Sequence, residues 1–180
     1  RVGIPGKAQA DLVMGAAGPP RCAPEFVAAN LGNSILGQFG LMGRIGEVVR
    51  ETSGLAYYVQ SNLSGGLGPG PWDISAGVDP QNVERVVDLL RSEIRRFVTE
   101  PVNEDELADS QAYFIGSLPL SLESNFGVAG ALINMERYQL GLDYCRQYAK
   151  VIRSVTKEDI LSAARRYLDP DRLGVAIAGP

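Results

Sequence analysis

Paired strands followed by a long run of helices predict an α+β fold: a two-layer sandwich with a mainly antiparallel sheet packed on a helical layer. Three observations carry this expectation. Segments 55–63 and 72–78 are rich in strand formers and flank a glycine-rich connection, so they read as a hairpin. Much of the second half places apolar residues three and four positions apart, the helical period. The chain returns to a strand-like run only at its end, in residues 173–178. A doubly wound sheet would instead alternate strand and helix one for one.

Taken in order, 8–17 is short, small and apolar, and reads as a first strand stopped by Gly18-Pro19-Pro20. Pro24 suits the first turn of a helix, and Phe26, Val27, Leu31, Ile35 and Leu36 follow at roughly helical spacing. Glycines at 37, 40 and 43 interrupt that pattern. A second helical piece covers about 42–52, with Gly54 as its C-cap. After the hairpin, Asp79-Pro80 supplies an N-cap and a first-turn proline. Val83, Val86, Val87, Leu90, Ile94 and Phe97 then trace the cleanest amphipathic helix of the chain.

Asn103 with Glu106 three positions later forms a capping-box signature for a helix running towards Ser117, which Pro119 should end or kink. The clustered acids Glu104, Asp105 and Glu106 therefore read as helix-start residues rather than a metal site. Residues 123–138 and 142–153 read as two more helices. Thr156, followed by Glu158 and Asp159, opens another. The last strand is apolar at every position, which places it in the middle of the sheet.

With 180 residues, 45% apolar and 21% charged, the chain reads as one domain, 1–180, with enough apolar material for a core without disulfides. The net charge of −4 and the lack of a Lys/Arg stripe argue against nucleic-acid binding. The Arg91, Arg95 and Arg96 group reads as a solvated helix face. No run is long and apolar enough to span a membrane. Cys22 and Cys145 fit no metal-type spacing, and nothing in the sequence favours a bridge between them. The chain contains no histidine at all.

The densest information lies in Arg50-Glu51-Thr52-Ser53-Gly54-Leu55-Ala56-Tyr57. It sets a guanidinium and a phenol seven residues apart at one helix-to-strand corner. From the pattern alone, Arg50 also reads as a cation at a helix C-terminus, and Tyr57 as a half-buried strand aromatic. Tyr58 falls on the opposite strand face and reads as packing.

This stretch resembles the R-E-x-x-G-L-A-Y signature of the insulinase and mitochondrial-processing-peptidase family of inverted-motif zinc peptidases. Other pieces resemble the family in the same order. They are Gly43-Arg44-Ile45 before Val49-Arg50-Glu51, the helix start at Asn103 to Leu107, residues 152 to 159, Tyr167-Leu168-Asp169-Pro170, and the closing strand from Val175. The resemblance implies the non-zinc, C-terminal domain of a longer peptidase chain. Its zinc and the His-x-x-Glu-His motif would lie in a missing domain or a partner chain, with no cofactor held here and no cleavage by this domain alone.

It also implies that Arg50 and Tyr57 reach across a closed chamber to the peptide substrate, in a homo- or heterodimeric assembly. Physically, a phenol O–H is a fixed neutral donor for the oxygen of a tetrahedral intermediate, and a guanidinium offers paired N–H donors to substrate carbonyls. The alternative within the same family is an inert scaffold domain. The stretch from Leu36 to Gly43 is shorter than the glycine-rich loop of the family's processing-peptidase α subunits and does not support the same role.

Overall fold

The structure is a computed structural model and describes residues 1–39 and 43–180. Gly40, one of the glycines expected to interrupt the helical pattern, falls outside the described residues. Among the described residues one five-stranded sheet has the order β1-β5-β2-β4-β3. Its strands are β1 (Val2–Gly3), β2 (Ala10–Ala17), β3 (Ala56–Leu63), β4 (Pro71–Val78) and β5 (Gly174–Gly179). All pairings are antiparallel except β1 with β5. The helices are α1 (Phe26–Asn33), α2 (Arg44–Gly46), α3 (Val83–Thr99), α4 (Glu104–Ser121), α5 (Asn125–Arg137), α6 (Tyr144–Ser154) and α7 (Lys157–Tyr167). The expected α+β two-layer sandwich is the observed architecture.

Alternation decides the faces. Leu12 and Met14 of β2, Val59 of β3 and Trp72, Ile74 and Ala76 of β4 turn inward. They meet the buried faces of α1, α3 and α7, including Leu31, Leu90, Phe97 and Ile160. The intervening residues, among them Val13, Tyr58 and Gln60, point to solvent. The apolar repeat foreseen on α3 is its buried stripe.

The helix starts follow their expected chemistry. Asp79 accepts from the Gln81 N–H at 2.8 Å. Asn103 with Glu106 and Thr156 with Asp159 form reciprocal capping boxes.

Four features differ from the sequence expectation. β1 is new: its two residues were too few for periodicity to register. The strand expected at the centre, β5, lies between β1 and β2, next to the sheet edge, and Gly174 and Ala176 on it are exposed. Its apolar run comes from small residues, which make a strand read as doubly buried without filling a second layer. After α1, Ser34–Gln38 kinks at Gly37, whose backbone is non-helical, and after α2 the turn Glu47–Glu51 is π-helical rather than α-helical. α4 continues past Ser117 to Ser121, because Pro119 sits in its last turn, where few later N–H groups need the helix.

The close approach of α1 and α2 explains two glycines. A Cβ on Gly43 would overlap the Gly37 backbone, and one on Gly37 would overlap Ile45.

One buried polar side chain ties the layers together. Asn33, at the end of α1, is 2% exposed. Its Oδ1 accepts from Ser61 Oγ at 2.6 Å and from Trp72 Nε1 at 3.1 Å, and its Nδ2 donates to the Ser61 carbonyl at 3.4 Å. Asn33→Ala leaves an indole N–H and a hydroxyl buried without an acceptor. The expected loss is about 3 kcal/mol, read as a lower urea midpoint with unchanged slope.

Candidate functional site

The corner between the helical segment and β3 is held almost entirely by backbone. The π-helical turn closes with the Thr52 N–H on the Glu47 carbonyl at 2.8 Å. Gly54 then takes φ +63°, the left-handed conformation that glycine adopts without a steric penalty. Its N–H donates to the Arg50 carbonyl at 2.9 Å, and the Leu55 N–H donates to the Val49 carbonyl at 3.0 Å. This is the C-cap expected at Gly54. Ser53 Oγ adds a bond to the Val48 carbonyl at 2.8 Å. Val49 is fully buried and pins the turn to the core, which leaves Arg50 on the outside.

Tyr57 is freed by a different device. Ala56 pairs with Val78 and Tyr58 with Gly77, so Tyr57 is the extra residue of a β-bulge. It is 63% exposed. Among the described residues, neither the Arg50 guanidinium nor the Tyr57 hydroxyl has a hydrogen-bond or ion-pair partner. Tyr58 behaves differently. Its ring lies over Gly77, where a Cβ would collide with it, and its hydroxyl donates to Asp11 Oδ1 at 3.3 Å. Burial, then the Asp11 charge, raises the Tyr58 phenol above its usual range. The Lys7 and Gln9 hydrogen bonds hold the Asp11 carboxyl below the usual carboxylate range. The two tyrosines thus divide: Tyr58 packs on the sheet, and Tyr57 is unused by the fold.

Beside this corner lies a cleft of about 710 Å³, lined by Phe39, Arg44, Glu47, Glu51, Asp109 and Tyr113 among others. The Phe39 and Tyr113 rings meet edge to face, with centroids 4.4 Å apart. Sequence reasoning missed the ion pair in its wall. Arg44 is 9% exposed and grips Glu106 with two parallel bonds, Nε to Oε1 at 2.6 Å and Nη2 to Oε2 at 2.7 Å. Glu106 was read only as a capping residue, and it performs that task too, accepting from the Asn103 N–H at 2.8 Å. The two partners are 62 positions apart, so no local pattern joins them.

Glu93 lies close by, 5% exposed. Arg96 Nη2 approaches its Oε1 at 3.4 Å, an ion-pair contact without hydrogen-bond geometry, and that oxygen is otherwise unpartnered among the described residues. Burial raises the Glu93 carboxyl, against the pull of Arg96 and Arg44.

The chain has no histidine, and among the described residues no three His, Cys, Asp or Glu side chains converge. The donor set present does not fit a zinc site. Cys22 and Cys145 are both free, and Cys145 Sγ contacts Met135 Sδ at 3.9 Å. No helix of the described residues is long and apolar enough to cross a membrane.

Residues 1–114 match the family model for the peptidase M16 inactive domain, and the chain belongs to that family. It is 29% identical over 175 residues to an uncharacterized zinc protease of Streptomyces coelicolor, covering 96% of this chain and 37% of the relative. A crystal structure of a peptidase M16 inactive domain from Pseudomonas fluorescens superposes with a TM-score of 0.91 at 28% identity, covering 99% of this chain and 42% of that one. An inactive peptidase domain from Bordetella parapertussis shares the fold, with a TM-score of 0.82 at 18% identity over 96% of this chain and 93% of its own. The chain thus spans less than half the length of the Streptomyces and Pseudomonas proteins.

Glu106 sets a pH signature. Burial pushes its carboxyl up, but the Arg44 bonds, the Asn103 N–H and the charges of Arg44 and Arg96 outweigh this and hold it below the usual carboxylate range. A depressed folded value means that its stabilisation is fully present above the unfolded carboxylate range and is lost as pH falls through the folded value. Glu106→Gln is expected to cost about 3 kcal/mol at neutral pH. It should also remove this part of the acid-side decline when urea midpoints are followed downwards from pH 6.

Proposed function

We propose that this chain is the substrate-positioning domain of a zinc-dependent endopeptidase acting on peptides or unfolded segments, and the C-terminal domain of a longer peptidase chain. The observation that carries the reading is the pair Arg50 and Tyr57, exposed on either side of a corner that the Gly54 cap and the β-bulge hold rigid. The fold spends nothing on these two side chains, so they are available to a ligand. The zinc is held by a sister domain, in the same polypeptide or in a partner chain, and the active assembly is a homo- or heterodimer.

In this reading Tyr57 donates its O–H to the scissile carbonyl oxygen as charge builds there. Arg50, charged at every relevant pH, donates paired N–H groups to substrate carbonyls and fixes the peptide's register. The phenol needs no base beside it, because it donates a hydrogen bond and does not give up its proton. The cleft next to the corner, with Glu47, Glu51 and Asp109 in its wall, gives the peptide a place to continue.

Tyr57→Phe in the assembly with the zinc-bearing domain tests this. The expected result is a fall in kcat of about 10²–10³ with a small change in KM, while the unfolding midpoint is unchanged because Tyr57 is largely exposed and its hydroxyl bonds to no described residue. Unchanged kcat leaves the scaffold reading. The 180-residue chain alone is expected to cleave no peptide in a chelator-sensitive way, and elemental analysis of the active assembly is expected to find zinc outside this domain.

A further inference from the structure

Three helices meet at one guanidinium. Arg44 of α2 commits Nε and Nη2 to Glu106 of α4, and its third nitrogen, Nη1, is buried without a hydrogen-bond partner among the described residues. Glu93 of α3 is the converse case. It is 5% exposed, and its Oε1 is buried with no hydrogen bond among the described residues, only the 3.4 Å approach of Arg96 Nη2. Buried polar atoms are normally satisfied, and a donor and an acceptor of opposite charge left unmet in one cluster call for a reason.

The charges in the cluster do not balance. Three acids, Glu93 on α3, Glu100 just after it and Glu106 on α4, share two cations, Arg96 on α3 and Arg44 on α2. Glu106 has two parallel bonds to Arg44 and a cap bond from the Asn103 N–H, and Glu100 is open to solvent. Glu93 has neither water around it nor a complete set of bonds. It is therefore the acid whose charge is least supported, and the one that takes up a proton first.

We infer that Glu93 is a proton-operated switch on Arg44. Neutral, it leaves the guanidinium wholly to Glu106, and α2 is joined to α4 in the cleft wall. Ionised, its Oε1 takes up Nη1, Arg44 is divided between two acids, and the grip on Glu106 loosens. The element so biased is α2, which leads directly into the turn that carries Arg50, and the wall it belongs to holds Glu47, Glu51, Asp109 and Tyr113. Burial raises the Glu93 carboxyl above its usual range, while Glu106 is held below its own, so the two acids titrate apart. A raised folded value means that folding favours the neutral acid. The cost of the Glu93 charge is absent below the unfolded carboxylate range and grows as pH rises through the folded value, the opposite sense to Glu106. The switch does not involve Tyr57 or zinc chemistry, so it and the peptidase reading can fail separately.

The test follows the Glu93 side-chain carboxyl carbon and the Arg44 Nε–H by NMR in the 180-residue chain, from about pH 4 to about pH 9, the span buried acids cover. The Glu93 carbon is expected to titrate above the usual carboxylate range. Over the same step the protection of the Arg44 Nε–H, corrected for base-catalysed exchange, is expected to fall about tenfold. Glu93→Gln keeps the shape and removes the charge. It should hold that protection constant across the range, and raise the urea midpoint at neutral pH but not at acid pH. Arg96→Gln, at an exposed position, should move the Glu93 titration and the Arg44 step upwards together. A Glu93 that titrates in the usual range overturns the proposal. So does an Arg44 step that survives in Glu93→Gln, or one that stays in place while Arg96→Gln moves the Glu93 titration.

Discussion

The side chain of Asn33 sets the relation between the two layers. Apolar packing alone would let a helix slide or rotate on a sheet at little cost, because one aliphatic contact substitutes for another. A buried amide removes that freedom. The Ser61 hydroxyl and carbonyl and the Trp72 indole must all be met, and only one placement of α1 on β3 and β4 meets them. Everything downstream inherits that placement. The end of α1 fixes where Gly37 touches Gly43 and Ile45, and that contact aims α2. The turn after α2 then delivers Arg50 to the surface, with Val49 locked beneath it.

The site follows a consistent division of labour. Rigidity comes from backbone carbonyls, the Gly54 cap, the buried Val49 and the Arg44–Glu106 pair in the cleft wall. The side chains of Arg50 and Tyr57 lie outside this framework. Tyr58 shows the contrast at one residue's distance, since its phenol is committed to Asp11 and its ring to Gly77. Glu93 is the exception in the framework. It is a buried acid with incomplete bonding, held where Arg44 and Arg96 lower the cost of its charge.

Features governed by neighbours in sequence were legible before the structure. The caps at Asp79, Asn103 and Thr156 were legible because capping is settled within three or four residues, and the α3 stripe because its period repeats over four turns. The Gly54 turn was legible because left-handed backbone selects for glycine. Arg50 and Tyr57 were singled out by family resemblance alone, and the exposed corner position of both agrees with the sequence, but the β-bulge that exposes Tyr57 was not legible. A bulge depends on the register of two strands, and a single strand's residues do not report it. The Arg44–Glu106 pair and the Asn33 bonds join residues 62 and 28 to 39 positions apart and leave no periodic trace. The place of β5 was misread because hydropathy does not separate small residues from bulky ones. Gly174 and Ala176 are apolar enough to suggest a second buried face and too small to need one.

The bulge at Tyr57 has an evolutionary corollary. A residue inserted outside the ladder is released from the alternation that governs its neighbours, so no core contact and no strand partner selects what stands there. Substitution at position 57, which is 63% exposed, is expected to change the stability of the fold little. What stands at this one surface position can therefore change by drift while the architecture around it stays the same.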